Sequence, residues 1–331
     1  MNDEEILDII STNEKEKIES LFIKAQNVKE KHYGKSVYIR GLIEFTNYCK
    51  NGCFYCGIRC SNTKLERYRL SLDQILDCCR TGDKLGIKTF VLQGGEDPWF
   101  TSERIAEIIS AIRKEFPNHA ITLSIGERSQ SDYELFFKAG TNRYLLRHET
   151  ADDNHYKKLH PSTMTLAARK QSLWTLKKIG YQVGAGFMVG SPYQTPQTLL
   201  SDLRFLEELQ PQMAGIGPFI PQKDTIFNAS LPGSLELCLK MLALTRLLLP
   251  KALIPATTAI ETIALNGREM AFNVGANVVM PNLSPAATRK LYSIYDNKAS
   301  GAGDAAENLS ILKEKIINAG YEPDMSRGDA K

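Results

Sequence analysis

Val37-Tyr-Ile-Arg-Gly-Leu-Ile-Glu-Phe45, then the loop Cys49-Lys-Asn-Gly-Cys53-Phe-Tyr-Cys56, then a polar helical stretch from Ser71, is the passage on which the reading of this 331-residue chain turns. The first part is dense in β-branched and aromatic residues, as a buried strand is. Strand, long loop and helix make one β-loop-α unit, and the unit recurs. Ile87–Leu92 precedes a helix over Ser102–Phe116, and Ala120–Ile125 precedes one opened by Ser131-Asp-Tyr-Glu134, a capping-box pattern. Arg143–Arg147 leads to a helix ending near Gly180, and Val183–Val189 to one begun by Thr195-Pro196, an N-cap with proline at the first helical position. Met213–Gly217, Ala252–Thr257 and Asn277–Met280 are three further strands, the last helix running over about Asp304–Ala319. Eight strands alternating with helices predict an α/β fold, a complete (β/α)8 TIM barrel over residues 36–322, with a doubly wound sheet as the alternative. Asp3–His32 carries two amphipathic helical patterns, so residues 1–35 are expected to form an N-terminal helical cap. Residues 323–331 are a C-terminal tail, expected to fray from Asp324 onward.

Composition narrows the chemistry. With 43% hydrophobic and 24% charged residues, disorder is excluded for the bulk of the chain. Lys and Arg total 41 against 38 Asp and Glu, an excess too small for the basic stripe that nucleic acid requires, so no nucleic-acid partner is expected. The start, Met1-Asn-Asp-Glu-Glu, is acidic where an export signal needs positive charge, and no uninterrupted apolar run of about 18 residues follows. A cytoplasmic protein with no membrane partner is therefore expected. Seven cysteines, an odd number in a large chain of this kind, point to metal or cluster ligation rather than to a disulfide framework.

Cys49, Cys53 and Cys56 fall within eight residues, a spacing that suits one compact soft-metal site. Tetrahedral zinc or a [4Fe-4S] cluster normally takes four thiolates, whereas three leave one iron open to an exogenous ligand. Cys60, four residues on, keeps a second reading in play: a closed four-cysteine iron-sulfur or zinc protein without catalysis. Other strand ends supply polar groups. Gln93-Gly94-Gly95-Glu96-Asp97 has two glycines that allow close backbone approach, and its carbonyls and acids suit an ammonium group. Glu149 is placed to hold a pair of ribose hydroxyls, and Arg169 offers a fork for a carboxylate. Gly184-Ala-Gly186-Phe-Met-Val-Gly190 has little bulk, so a flat heterocycle fits beside its backbone.

Cys49-x3-Cys53-x2-Cys56, with aromatic Tyr55 before the last thiol, resembles the cluster motif of radical S-adenosylmethionine (SAM) enzymes, and Gly94-Gly95-Glu96 resembles their GGE motif. Longer segments, Val91–Pro98, Arg143–Thr150, Gly215–Pro221, Ile254–Thr258 and Ala276–Asn282, resemble the HydE-type maturases of [FeFe]-hydrogenase. The resemblance implies one [4Fe-4S] cluster on Cys49, Cys53 and Cys56, with SAM on its open iron and reductive cleavage to a 5′-deoxyadenosyl radical. It further implies that Gly94, Gly95 and Glu96 meet the methionine amine, Arg169 its carboxylate and Glu149 the ribose. By the same implication Tyr55, Gly186 and Met280 meet the adenine, and Tyr292 and Tyr295 close over the cofactor. Gln93, Thr122, Arg147, Thr257 and Thr258 match positions facing a substrate cavity, where the family is thought to process an anionic iron-cysteine complex. Partners implied are that small-molecule precursor or a small amino-acid-like substrate, an electron donor such as flavodoxin or ferredoxin, and other hydrogenase maturation proteins. A mutase resembling 3-methylornithine synthase is the nearest enzymatic alternative. Tyr295–Lys331 contains no cysteine, which argues for a single cluster, and Cys78, Cys79 and Cys238 are expected to be buried as small apolar groups on outer helices.

Overall fold

In a computed structural model that describes residues 1–298 and 303–331, two helices, α1 (Asp3–Ser11) and α2 (Lys15–Tyr33), precede the deciding passage. That passage forms β1 (Ser36–Ile39) and β2 (Gly41–Thr46), broken only at Arg40. All six residues of β2 are buried, as expected of a parallel strand covered on both faces. The alternation continues with α3 (Leu72–Lys84), β3 (Thr89–Gly94), α4 (Ser102–Glu115), β4 (Ala120–Ser124) and α5 (Gln130–Ala139). There follow β5 (Arg143–Leu145), α6 (Asp153–Leu159), α7 (Leu166–Ile179), β6 (Gln182–Ala185), β7 (Met188–Val189) and α8 (Pro196–Leu209). The chain closes with β8 (Met213–Ala214), β9 (Gly217–Pro218), α9 (Leu235–Leu248), α10 (Thr258–Ile263), α11 (Gly267–Asn273), β10 (Val278–Val279), α12 (Ala286–Arg289), α13 (Ala305–Asn318) and β11 (Glu322–Asp324).

Six strands form one parallel sheet in the order β2-β3-β4-β5-β6-β8. β1 lies parallel between β10 and β11, and β7 pairs with β9. Parallel bridges link Met213 to Leu253, Pro255 to Val278 and Leu42 to Asn282. This is an α/β fold with a parallel sheet, barrel-like in its order of strands. Its core is continuous: Ile43, Phe90, Ile121, Tyr144, Val183 and Ala214 from the strands pack with Ile109, Leu173, Leu203 and Leu242 from the helices. No helix among the described residues is long and apolar enough to cross a membrane.

Several local expectations change. α5 is capped by Ser129, two residues before Ser131, because Ser129 and Asp132 exchange side-chain-to-backbone bonds in a capping box, and Ser102 Oγ also bonds Asp132. The stretch between β5 and Gly180 holds two helices instead of one. Val183–Val189 is split at Gly186, whose φ of +153° lets it pass close to Gly215; a Cβ there would sit 2.0 Å from the Gly215 carbonyl oxygen. Ala252–Thr257 makes isolated bridges at Leu253 and Pro255 and forms no longer strand. The N-terminal helices lie against the outer layer, α1 on α8 and α9 and α2 on α9 and α11. There Lys29, fully buried, donates to the Phe272 carbonyl at 2.9 Å and sits over the Tyr321 ring at 3.4 Å.

The tail does not fray. β11 pairs with β1, and Arg143, fully buried at the start of β5, bonds Asp329 at 2.6 Å and the Arg327 carbonyl at 2.8 Å. Thr89 and Arg40 reach the Arg327 and Gly328 carbonyls at 2.8 and 2.9 Å. The tail therefore covers the N-terminal ends of the strands, because buried guanidiniums there need acceptors. Four residues of the unit expected over 36–322, numbers 299–302, lie outside the described residues.

Candidate active site

The cysteine loop leaves β2 and is held by backbone bonds that cross the strand ends. Lys50 N donates to Glu96 O at 2.9 Å, Phe54 N to Leu159 O at 2.9 Å and Gly57 N to Ile294 O at 3.0 Å. Cys49, Cys53 and Cys56 all line one cavity of about 280 Å³. Burial pushes all three thiols up, Cys56 to about 12 and Cys53 well above the usual thiol range, and neighbouring thiols add to the effect. Thiols so placed ionise only against a strong positive charge, which metal binding supplies by displacing the protons. Cys60 is exposed and does not line this cavity. Among the described residues no three His, Cys, Asp or Glu side chains are grouped for a single metal ion. Zinc would need every ligand within about 2.3 Å of one point, whereas a cluster takes thiols spread around a larger body. Cys78, Cys79 and Cys238 are buried on α3 and α9.

Gly94, Gly95 and Glu96, at the end of β3, line the same cavity. Gly95 has no alternative: a Cβ would lie 2.2 Å from the Tyr48 carbonyl oxygen and 2.7 Å from Cys49 Cβ, so the GGE segment and the cysteine loop touch backbone to backbone. Glu96 accepts the Glu127 amide at 2.9 Å and faces Lys50 at 3.4 Å.

Arg147, Glu149 and Arg169 line the same cavity. Glu149 is one of the few non-glycine residues at positive φ, +66°, a conformation costing about 1–2 kcal/mol for an L-residue. The turn is held by Glu149 N donating to Gly186 O at 3.0 Å and Met188 N to Glu149 O at 3.2 Å. Arg147 Nη2 stands 3.2 Å from Glu149 Oε2, yet both atoms are buried without a well-formed hydrogen bond, as is Arg147 Nε. Buried polar atoms normally have partners, so these mark a place built for a polar ligand. Arg169, from α7, donates to Glu127 Oε1 and to the Arg147 carbonyl, both at 2.5 Å. Burial alone would lower its guanidinium, but the surrounding Tyr156, Glu127 and Tyr55 raise it, so it is a fixed cation.

Tyr55, Tyr292 and Tyr295 also line the cavity, as does Gln93. Tyr55 bonds His160 at 3.2 Å; His160, stacked on Tyr156 at 3.9 Å, is driven down to about 3 by burial and stays neutral. Tyr292 and Tyr295 sit on a strap tied down by Asn47 donating to Leu291 O at 2.8 Å and by Asp296 N donating to Pro221 O at 3.2 Å. Lys298, on the same strap, pairs with the fully buried Glu44.

Five expected residues are not gathered here. Met280 and Thr258 line a neighbouring cavity of about 410 Å³, with Arg268, Arg289 and Lys298. Thr257 caps α10, accepting Ile260 N at 3.4 Å. Thr122 is buried, its hydroxyl unpaired. Gly186 spends its backbone groups on His148 and Glu149. Sequence reasoning missed Glu127, Lys50 and His160. Glu127 was findable, since Gly126-Glu127 follows β4 as Gly95-Glu96 follows β3.

The family profile described as Radical SAM superfamily matches residues 43–206. The chain is 45% identical over 328 residues to the [FeFe] hydrogenase maturase subunit HydE of Thermotoga maritima, covering 99% of this chain and 93% of that protein. It is 30% identical over 298 residues to 3-methylornithine synthase of Methanosarcina barkeri, covering 89% and 83%. The crystal structure of methylornithine synthase (PylB) superposes with a TM-score of 0.86 at 26% identity, covering 98% and 94%. Superfamily members use a [4Fe-4S] cluster and SAM, and a three-thiol loop touching a GGE segment is a donor set fit to receive them. By sequence and by fold, this chain belongs to the radical SAM superfamily and, within it, to the HydE-like group of enzymes.

Proposed function

We propose that this enzyme matures the diiron subsite of [FeFe]-hydrogenase, acting on a small anionic iron-cysteine precursor. The observation that carries the reading is the convergence on one cavity of three cysteines, the GGE segment and the Arg147–Glu149 ion pair, whose buried atoms make no well-formed hydrogen bond, in a chain 45% identical to HydE. Cys49, Cys53 and Cys56 would hold one [4Fe-4S] cluster, and no other cysteine lines the cavity. When bound, cluster and SAM together supply reductive cleavage of the sulfonium to methionine and a 5′-deoxyadenosyl radical.

The chain's own residues bind and exclude. Gly94 and Gly95 carbonyls with Glu96 receive the methionine amine, while Arg169, oriented by Glu127, receives its carboxylate. Glu149 accepts from the ribose hydroxyls, and Tyr55 bounds the adenine. Tyr292 and Tyr295 shut the cavity against water, and Gln93 and Arg147 present donors to the precursor. Parallel bridges at 213–253 and 255–278, with β10 on β1, support a complete (β/α)8 barrel over residues 36–322. We assign residues 1–35 as a helical extension and 323–331 as the tail, and place the protein in the cytoplasm with an electron donor and other maturation proteins. The test is activation of a maturase-deficient [FeFe]-hydrogenase: the wild type restores activity and Cys53→Ala does not. Restoration by Cys53→Ala refutes the reading.

A 3-methylornithine-synthase-like mutase is the second reading, favoured by the TM-score of 0.86. Formation of methylornithine from lysine and SAM would establish it.

A further inference from the structure

Directly behind Arg147 and Glu149 lies a pair that touches no part of the cavity. His148 and Asp202 are both fully buried, and His148 Nε2 stands 3.3 Å from Asp202 Oδ1. The Gly186 amide donates to His148 Nδ1 at 3.3 Å, so the ring proton of the neutral imidazole is on Nε2, facing the carboxylate. The same Asp202 Oδ1 accepts the Ala151 amide at 2.5 Å. One carboxylate oxygen from α8 thus bonds the Ala151 end of segment 148–151 and stands against the His148 ring at the other, with the strained Glu149 between them. α7 holds the segment from the other side: Arg169 donates to the Arg147 carbonyl at 2.5 Å and Lys170 to the Ala151 carbonyl at 3.1 Å. The Phe205 edge meets the His148 ring at 5.0 Å, which leaves the imidazole little freedom to turn.

Such a pair is a poor device for stability. A buried carboxylate is expensive unless fully hydrogen-bonded, and Asp202 Oδ2 has no partner, while His148 Nε2 makes no well-formed bond. What the pair does achieve is geometry. It ties the turn that points Glu149 toward the cavity, and a left-handed glutamate persists only where its surroundings over-determine it.

We propose that Asp202, acting through His148 and the Ala151 amide, is a positioning residue that fixes Glu149 and thereby sets the affinity of the cavity for the adenosyl ribose of SAM. The inference rests on the reading of Glu149 as the ribose acceptor. The test uses the anaerobically reconstituted holoenzyme and four proteins: wild type, Asp202→Asn, Asp202→Ala and Glu149→Gln. Equilibrium Kd is measured for SAM, for S-adenosylhomocysteine and for methionine, alongside KM and kcat for 5′-deoxyadenosine release and thermal midpoints. Asp202→Ala should weaken both adenosyl ligands roughly tenfold, the loss of one well-placed hydrogen bond, with methionine binding unchanged and the loss appearing in KM rather than kcat. Asp202→Asn, which keeps the acceptor for Ala151, should fall between, and it carries the test if the alanine variant fails to fold. Asp202 variants that melt earlier but bind both adenosyl ligands like wild type overturn the inference while Glu149→Gln binds weakly. Wild-type binding by Glu149→Gln overturns the ribose reading itself, and the inference with it.

Discussion

Replacing Asp329 by alanine removes the carboxylate that faces Arg143 at the foot of the sheet. Arg143 is fully buried and its Nη2 lies 2.6 Å from Asp329 Oδ1. Burial pulls the guanidinium down and Asp329 pulls it back up, while the pairing holds the carboxyl at about 2 against an ordinary 3.8. At 1.36 kcal/mol per pH unit that displacement is worth roughly 2 kcal/mol. The Asp329 side chain is 40% exposed, so solvent screening reduces the figure to about 1 kcal/mol. For a chain of this length 1 kcal/mol moves the melting point by roughly 1–2 °C. Deleting residues 327–331 also takes away the Arg327 and Gly328 carbonyls that Arg143, Arg40 and Thr89 use. That leaves buried cations unpaired, at a cost of about 3–5 kcal/mol, or roughly 4–8 °C. Scanning calorimetry of the three proteins should give this order. The pH dependence has a definite sign: a depressed carboxyl stabilises fully above 3.8 and loses that contribution as pH falls toward 2. In cluster-free protein the gap between wild type and Asp329→Ala should therefore be constant near neutrality and shrink below about pH 4. A truncated chain melting within about 1 °C of wild type would refute the account of the tail as a structural cover.

Three further outcomes are expected. Gly95→Ala should force the Tyr48–Cys49 backbone outward, costing about 1–3 kcal/mol and lowering iron content on reconstitution, which iron and sulfide analysis would show. Cys60→Ala should leave iron and sulfide content unchanged, whereas Cys53→Ala abolishes the cluster; equal losses would revive the four-cysteine alternative. Glu127→Gln releases the Arg169 fork from its charged partner and should raise KM for SAM about three- to tenfold with little change in kcat, measured by 5′-deoxyadenosine release.

Short-range chemistry was legible because its meaning is complete within a few residues. The three thiols at Cys49, Cys53 and Cys56 span eight residues, so their convergence on one cavity needs only a loop. Thr195-Pro196 capped a helix where expected, since a cap depends on its own first turn. Strand ends located Glu96, Arg147 and Glu149 because parallel strands deliver their following loops to one face. Even locally there were two competing caps for α5, and Ser129 prevailed over Ser131 because Asp132 has a second partner in Ser102, 30 residues away.

Pairings between distant segments were beyond reading in one dimension. Glu127 orients Arg169 across 42 residues, Asp202 reaches Ala151 across 51, and Asp329 meets Arg143 across 186. Each depends on strand register and helix placement summed over the whole parallel sheet. Residue type says that a buried Arg must find an acceptor, but which acceptor arrives is decided by packing. The polar composition of 323–331 read as a loose end for that reason, and the fold turned it into the floor of the molecule. Residue identity and spacing settle what chemistry this chain carries; the packing of helices on the parallel sheet settles which groups stand next to it.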